Sequence, residues 1–145
     1  MLDLQQKKRD LEFGFQNELE ILGLINDIIP DTYKTENTYN NFDFRNDRLK
    51  IDFELKSRRI YKGQYRTVYF ANCKLDKGRE NLANGESRRV IYLFDFVAKN
   101  DRSKRELWFW EDDGSDVELT MGGNFARNDY AKPLVNIPMD KLQRW

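Results

Sequence analysis

The sequence predicts an α/β protein with a mixed central sheet flanked by helices. Three features predict this class: an amphipathic helical pattern opens the chain, a strand of alternating apolar and polar residues follows, and an almost wholly apolar strand comes later. The length of 145 residues favours a single domain over residues 1–145. Although 34% of the residues are charged, 10 Phe, 7 Tyr and 3 Trp indicate a packed interior rather than disorder.

The first predicted element is a helix from about Leu4 to Asp27, which is closed by Pro30. At 100° per residue, four apolar residues point within about 40° of one direction and predict a stripe that faces the core. These residues are Leu11, Phe15, Leu22 and Ile25. Glu18 falls in the middle of the stripe, where burial of an unpaired carboxylate would be costly. Glu18 is therefore a candidate functional residue.

A β-hairpin is predicted next. Residues Tyr39–Phe44 and Leu49–Lys56 both alternate in period two, and residues 45–48 between them have turn chemistry. In the second strand the apolar residues face one side of the sheet. Lys50, Asp52, Glu54 and Lys56 face the other side. This segment has the clearest strand pattern of the sequence.

The register of the hairpin decides which residue lies opposite Asp43. A turn at residues 46–47 places Asp43 opposite Lys50. A turn one residue later places it opposite Asp52, and a four-residue loop over residues 47–50 places it opposite Glu54. With the turn one residue later, Asp43 lies diagonal to Glu54, about 7–8 Å away at the backbone. With the four-residue loop, Asp43 lies directly beside Glu54. We expect one of these two.

The remaining elements follow from shorter patterns. The sequence predicts a strand over Thr67–Cys73, a short helix over Asp76–Ala83, a central strand over Val90–Val97, a strand over Leu107–Trp110 and an edge strand over Leu134–Ile137. The order of elements is α-β-β-β-α-β, with one or two extra strands towards the C-terminus. Helices are expected to pack against the resulting mixed sheet.

Residue types that are missing from the sequence exclude several kinds of chemistry. There is no histidine and one cysteine, Cys73, so a Ser-His-Asp hydrolase and a zinc site of His or Cys ligands are excluded. Any metal must bind oxygen ligands, which favours Mg²⁺ or Mn²⁺. No apolar run has the roughly 20 residues of a membrane span, and residues 1–9 lack the apolar core of a signal peptide. We therefore expect a cytoplasmic protein with no membrane association.

Four residues are expected to converge on one side of the predicted sheet. Glu54 and Lys56 lie two residues apart on one face of a strand, and Asp43 reaches that face from the preceding strand. Glu18 would approach from the inner side of the helix. Three carboxylates and a lysine suit an oxygen-ligated divalent ion, because the ion offsets the repulsion of the grouped acids.

The net charge of zero hides a basic middle third. Residues 45–89 carry 13 basic and 6 acidic residues, a net charge of +7. Basic residues interleaved with tyrosines suit phosphate contacts together with base stacking, although a solvated basic loop would have the same composition. The candidate nucleic-acid-binding residues are Arg58, Arg59, Tyr61, Lys62, Arg66 and Lys74.

This arrangement resembles the PD-(D/E)XK nucleases, which have a helix with an inward Glu, an Asp on one strand and (D/E)-x-K on the next. The matching pieces are Glu18, Asp43 and the triplet Glu54-Leu55-Lys56, and Phe42 replaces the proline of the motif. The resemblance covers roughly residues 10–97. It implies a restriction-endonuclease-like core and a Mg²⁺-dependent DNA endonuclease, similar to the compact Holliday-junction resolvases and phage or virus nucleases. It also implies a homodimer.

The resemblance implies a role for each residue. Asp43, Glu54 and the backbone carbonyl of Leu55 would ligate Mg²⁺, for which Mn²⁺ could substitute, and Glu18 would complete the metal shell. Lys56 would hold the attacking water and stabilise charge on the phosphate. No organic cofactor is expected. Two alternatives stay open: a catalytically inactive nuclease-fold module that binds nucleic acid, and an interaction protein with a solvated, salt-bridged strand.

Overall fold

The structure, a computed structural model, describes residues 4–36, 42–122 and 131–145. Most of the predicted strand Tyr39–Phe44 lies outside these ranges. Within them the chain forms two α-helices, α1 (Leu4–Ile28) and α2 (Asn72–Asn84). Neither helix combines the length and apolar character that a membrane crossing requires.

A six-stranded sheet forms the centre of the described fold. Its members are β1 (Tyr33–Lys34), β2 (Phe44–Asn46), β3 (Ile51–Arg58), β5 (Arg89–Ala98), β6 (Asp101–Glu111) and β9 (Gln143–Arg144), in that spatial order. β3 and β5 pair in parallel, and every other pairing in this sheet is antiparallel. The prediction of an α/β class with a mixed sheet is therefore confirmed. The strand predicted over Leu107–Trp110 is longer than expected.

A second, antiparallel sheet contains β4 (Thr67–Ala71), β8 (Lys132–Pro138) and β7 (Glu118–Gly122), in that spatial order. The sequence predicted β4 and β8 as members of the central sheet and gave no indication of β7. The predicted strand to Cys73 is also wrong, since β4 ends at Ala71 and α2 begins at Asn72. Ala71 pairs with Leu134, so the next residue would face Pro133, which has no N–H for the ladder.

Two hydrophobic cores cover the two faces of the central sheet. Because successive side chains of β5 point to opposite faces, this strand contributes to both cores. On one face, Ile21 and Ile25 of α1 pack with residues such as Ile91. On the other, Tyr92 packs with residues of α2 and of the second sheet, and its ring stacks on Phe70 with 4.4 Å between centroids. The expectation that Val90–Val97 is covered on both faces is confirmed.

The predicted core stripe of α1 is wrong in its N-terminal half. Ile21 and Ile25 are fully buried, but Leu11 and Phe15 are 75% and 54% exposed. A helix of 25 residues is about 37 Å long, and only its C-terminal half lies on the sheet. The periodicity correctly indicated a helix but could not show where its packing surface ends.

Candidate active site

The β2–β3 hairpin brings the two predicted strand carboxylates together. Phe44 pairs with Phe53 and Asn46 with Ile51, so the connecting loop is the four-residue loop over residues 47–50. The side chain of Asn46 holds this loop by accepting a hydrogen bond from Leu49 N at 2.9 Å. This loop confirms one of the two expected registers. The ladder ends at Phe44, and the backbone N–H of the preceding Asp43 donates to Phe53 O at 2.9 Å, which keeps Asp43 next to the Phe53–Glu54 segment of β3.

Asp43 and Glu54 form a carboxyl pair in which Asp43 is half-buried and Glu54 is buried. Asp43 Oδ2 accepts a hydrogen bond from the backbone N–H of Leu55 at 2.7 Å, and a further hydrogen bond joins the two carboxyl groups. Glu54 is 3% exposed. Burial, then the hydrogen bond to Asp43 and its negative charge, raise the pKa of Glu54 from 4.5 to about 8. Glu54 therefore keeps a proton at neutral pH unless a cation replaces it.

Two lysines lie beside this pair, and their positive charges partly offset the rise in the pKa of Glu54. Lys56 projects from the same face of β3 as Glu54, two residues further along, and forms no ion pair with the residues that the structure describes. Lys74, in the first turn of α2, places Nζ 3.1 Å from Glu54 Oε2. The charges of both lysines lower the pKa of Glu54. The first turn of α2 therefore positions Lys74 at the carboxyl pair.

Glu18 does not join the pair. Its carboxylate forms an ion pair with Lys34 of β1, with 2.6 Å between Oε2 and Nζ. α1 packs on the sheet face opposite to the one that carries Glu54, which explains the separation. Over the described ranges, no group of three or more acidic, His or Cys side chains is arranged to hold a metal ion. The predicted three-carboxylate cluster is therefore reduced to two carboxylates.

The donor atoms at the pair still suit a magnesium ion. Glu54 Oε2 is buried and has no hydrogen-bond partner in the part of the chain that the structure describes, because Lys74 lies within ion-pair distance but outside hydrogen-bond geometry. Mg²⁺ commonly binds one or two carboxylates and completes its shell with water and substrate phosphate oxygens. Asp43, Glu54 and the carbonyl of Leu55 could supply such oxygens, and a bound cation would remove the repulsion between the two acids.

The basic segment after Lys56 lies at the C-terminal end of β3. Arg58 belongs to β3 itself and stacks over the ring of Tyr69 of β4 at 5.1 Å. The remaining predicted residues of this segment, Arg59, Tyr61, Lys62 and Arg66, lie between β3 and β4. Lys62 rests over the ring of Trp108, with Nζ 4.3 Å from its centre. Most of these side chains are exposed, and they follow the end of the strand that carries Glu54.

A buried polar network that was not predicted from the sequence lies on the opposite face of β3. Ser57 donates a hydrogen bond to Asp95 at 3.0 Å, and Arg105 lies 3.3 Å from the other oxygen of Asp95. Asn17 of α1 contacts both Ser57 and Arg105. Burial raises the pKa of Asp95. The one sign of this network in the sequence is Asp95, a single acid inside an otherwise apolar strand. The network connects α1 to Ser57, the residue that follows Lys56.

Comparison with known proteins provides no relative from which a function could be transferred. The sequence matches no protein-family model, and neither a curated protein nor a solved structure matches it significantly. The function must therefore be inferred from the geometry of the site.

Proposed function

We propose that this protein is a Mg²⁺-dependent DNA endonuclease with a restriction-endonuclease-like core. The observation that carries the proposal is the Asp43–Glu54 carboxyl pair with its buried Glu54, which has Leu55 beside it and Lys56 two residues further along the same face. Two acids held in contact destabilise each other unless a proton or a cation lies between them. A divalent ion is the cation that suits this donor set.

The residues have distinct roles in this proposal. Asp43, Glu54 and the carbonyl of Leu55 hold the ion. When bound, Mg²⁺ lowers the pKa of water and offsets charge on a phosphate. Lys56 donates hydrogen bonds to the attacking water or to a phosphate oxygen, since its ammonium has no carboxylate partner among the described residues. Histidine is not needed for this chemistry.

The second candidate is a nuclease-fold module that binds nucleic acid without cleaving it. The pairing of Glu18 with Lys34 favours this candidate, because it leaves the carboxyl pair without a third acid in the described residues. Fewer carboxylates mean weaker metal binding in the absence of substrate. The two candidates share the nucleic-acid surface and differ in turnover.

A cleavage assay separates the two candidates. Plasmid, branched DNA and RNA are incubated with Mg²⁺ and with wild-type protein, Lys56→Ala or Glu54→Gln. The matched control is Lys99→Ala, which removes an exposed lysine at the β5–β6 turn. We expect wild type and the control to cleave DNA and both site variants to lose at least 100-fold in rate. Binding without cleavage by wild type would establish the module, and full activity of Lys56→Ala would contradict the proposed mechanism.

A second copy of the chain is the proposed protein partner. The N-terminal half of α1 exposes Leu4, Leu11 and Phe15 along one helix, and such apolar stripes mark interaction surfaces. Basic residues 7–9 precede acidic Glu12, so two antiparallel copies would match opposite charges. Light scattering on the cleavage samples should therefore give the mass of two chains, and a monomer mass would remove the dimer from the proposal.

A further inference from the structure

A cleft lies where the C-terminal end of β3 meets β4. Its volume is about 360 Å³, which is within the usual range for a small-ligand site. It is lined by Arg58, Ile60, Tyr65, Thr67, Val68 and Tyr69. Val68 is buried, whereas both tyrosines are largely exposed. The cleft thus combines a buried aliphatic residue, two accessible aromatic rings and one cation.

The cation of the cleft is not neutralised by the residues that the structure describes. Arg58 donates hydrogen bonds to the backbone oxygens of Tyr69 and Ser57, each at 3.3 Å, and forms no ion pair. In contrast, other arginines pair with carboxylates. These are Arg45, Arg79, Arg89, Arg105 and Arg144. Arg58 therefore keeps its full positive charge for an anionic ligand.

The cleft continues from the carboxyl pair along a single strand. Alternation places Glu54, Lys56 and Arg58 on the same face of β3, and successive members are about 7 Å apart along the strand. The contact of Arg58 with Tyr69 agrees with this orientation, because the second sheet packs on that face. A nucleic-acid strand that placed a phosphate at Lys56 would bring its neighbouring nucleotide to Arg58 and the cleft.

We propose that this cleft binds the base of an unpaired nucleotide adjacent to the phosphate at the carboxyl pair. Tyr65 and Tyr69 supply aromatic surfaces on which any base can stack, and Arg58 binds that nucleotide's phosphate. Base-paired nucleotides keep their bases inside the helical stack, so the cleft selects single-stranded, flapped or locally melted substrates. This inference rests on the proposed function for its choice of ligand and names the substrate class.

Binding is tested without Mg²⁺, so that the result does not depend on cleavage. A single-stranded oligonucleotide that carries 2-aminopurine and its matched duplex are titrated with the full chain in EDTA, and anisotropy and 2-aminopurine quenching are recorded. The variants are Tyr65→Leu and Tyr69→Leu. Tyr33→Leu is the control, because Tyr33 is an exposed tyrosine of β1 that does not line the cleft.

We expect wild type to prefer the single strand and to quench its 2-aminopurine. Each cleft variant should lose roughly tenfold or more in single-strand affinity and lose quenching, with duplex affinity changed less than twofold. Tyr33→Leu should behave as wild type. Equal loss in all three variants, equal affinity of wild type for both substrates, or no binding would overturn the cleft proposal. Binding as expected without cleavage in Mg²⁺ would instead overturn only the proposed hydrolysis.

Discussion

Replacing Glu54 with Gln should make the protein more stable at alkaline pH. The pKa of this carboxyl rises from 4.5 to about 8 on folding. Below pH 4.5 it is protonated in both states, and between 4.5 and 8 only the unfolded chain loses its proton, so stability falls as pH rises. Above pH 8 both states are ionised, and stability falls no further. At about 1.4 kcal/mol per pKa unit, ionisation costs the folded state about 5 kcal/mol. Gln can donate to Asp43 at every pH and avoids this cost.

The assay for this prediction is urea unfolding in EDTA from pH 5 to pH 9. The free energy of unfolding of wild type should fall relative to that of Glu54→Gln by about 4 kcal/mol across this range, since about 1 kcal/mol of the full effect is already lost at pH 5. Glu118→Gln, which changes an exposed acid of β7, should follow wild type at every pH. A difference between wild type and Glu54→Gln that stays within about 1 kcal/mol from pH 5 to pH 9 would refute the coupling between burial and ionisation.

Two further predictions concern the same region. Lys74→Met should raise the pKa of Glu54 further, because the charge of Lys74 lowers that pKa. A titration of the Glu54 carboxyl ¹³C shift by NMR measures the change, and an unchanged pKa would show that Lys74 does not act on Glu54. Gly78→Ala should cost about 1–3 kcal/mol in urea unfolding, since its Cβ would lie 2.8 Å from the buried Tyr92 hydroxyl. Its control, Gly14→Ala, meets no atom within 4 Å and should gain up to about 1 kcal/mol, so equal effects would contradict the packing argument.

The sequence was most informative where local chemistry determines geometry. Alternation in period two predicted the face shared by Glu54 and Lys56, and the possible turns reduced the position of Asp43 to three registers. The structure selects one of them through the side chain of Asn46, which caps Leu49 N and also donates to Pro30 O at 2.7 Å. That second contact joins residues far apart in sequence, so turn preferences alone could not have made the selection.

The missed features depend on contacts between distant segments. The helical pattern of α1 gave no information on which of its turns would meet the sheet, so Glu18 was assigned to the wrong neighbours. Its actual partner, Lys34, lies in a two-residue strand that is too short to leave a periodic pattern. The strand was predicted to run to Cys73 instead of Ala71, because the residue that would face Asn72 is Pro133, 62 residues after Ala71.

The carboxyl pair and the adjacent cleft differ in how much of the chain each requires. Asp43 and Glu54 are joined by a short hairpin, so little loop-closure entropy opposes their approach. Tyr69, on the wall of the cleft, pairs with Asn136 of β8, 67 residues later. A chain that ended before residue 132 would retain both acids within a local hairpin and lose the strand that supports β4. During synthesis, the register that joins the acids is therefore specified long before the wall of the cleft acquires its support.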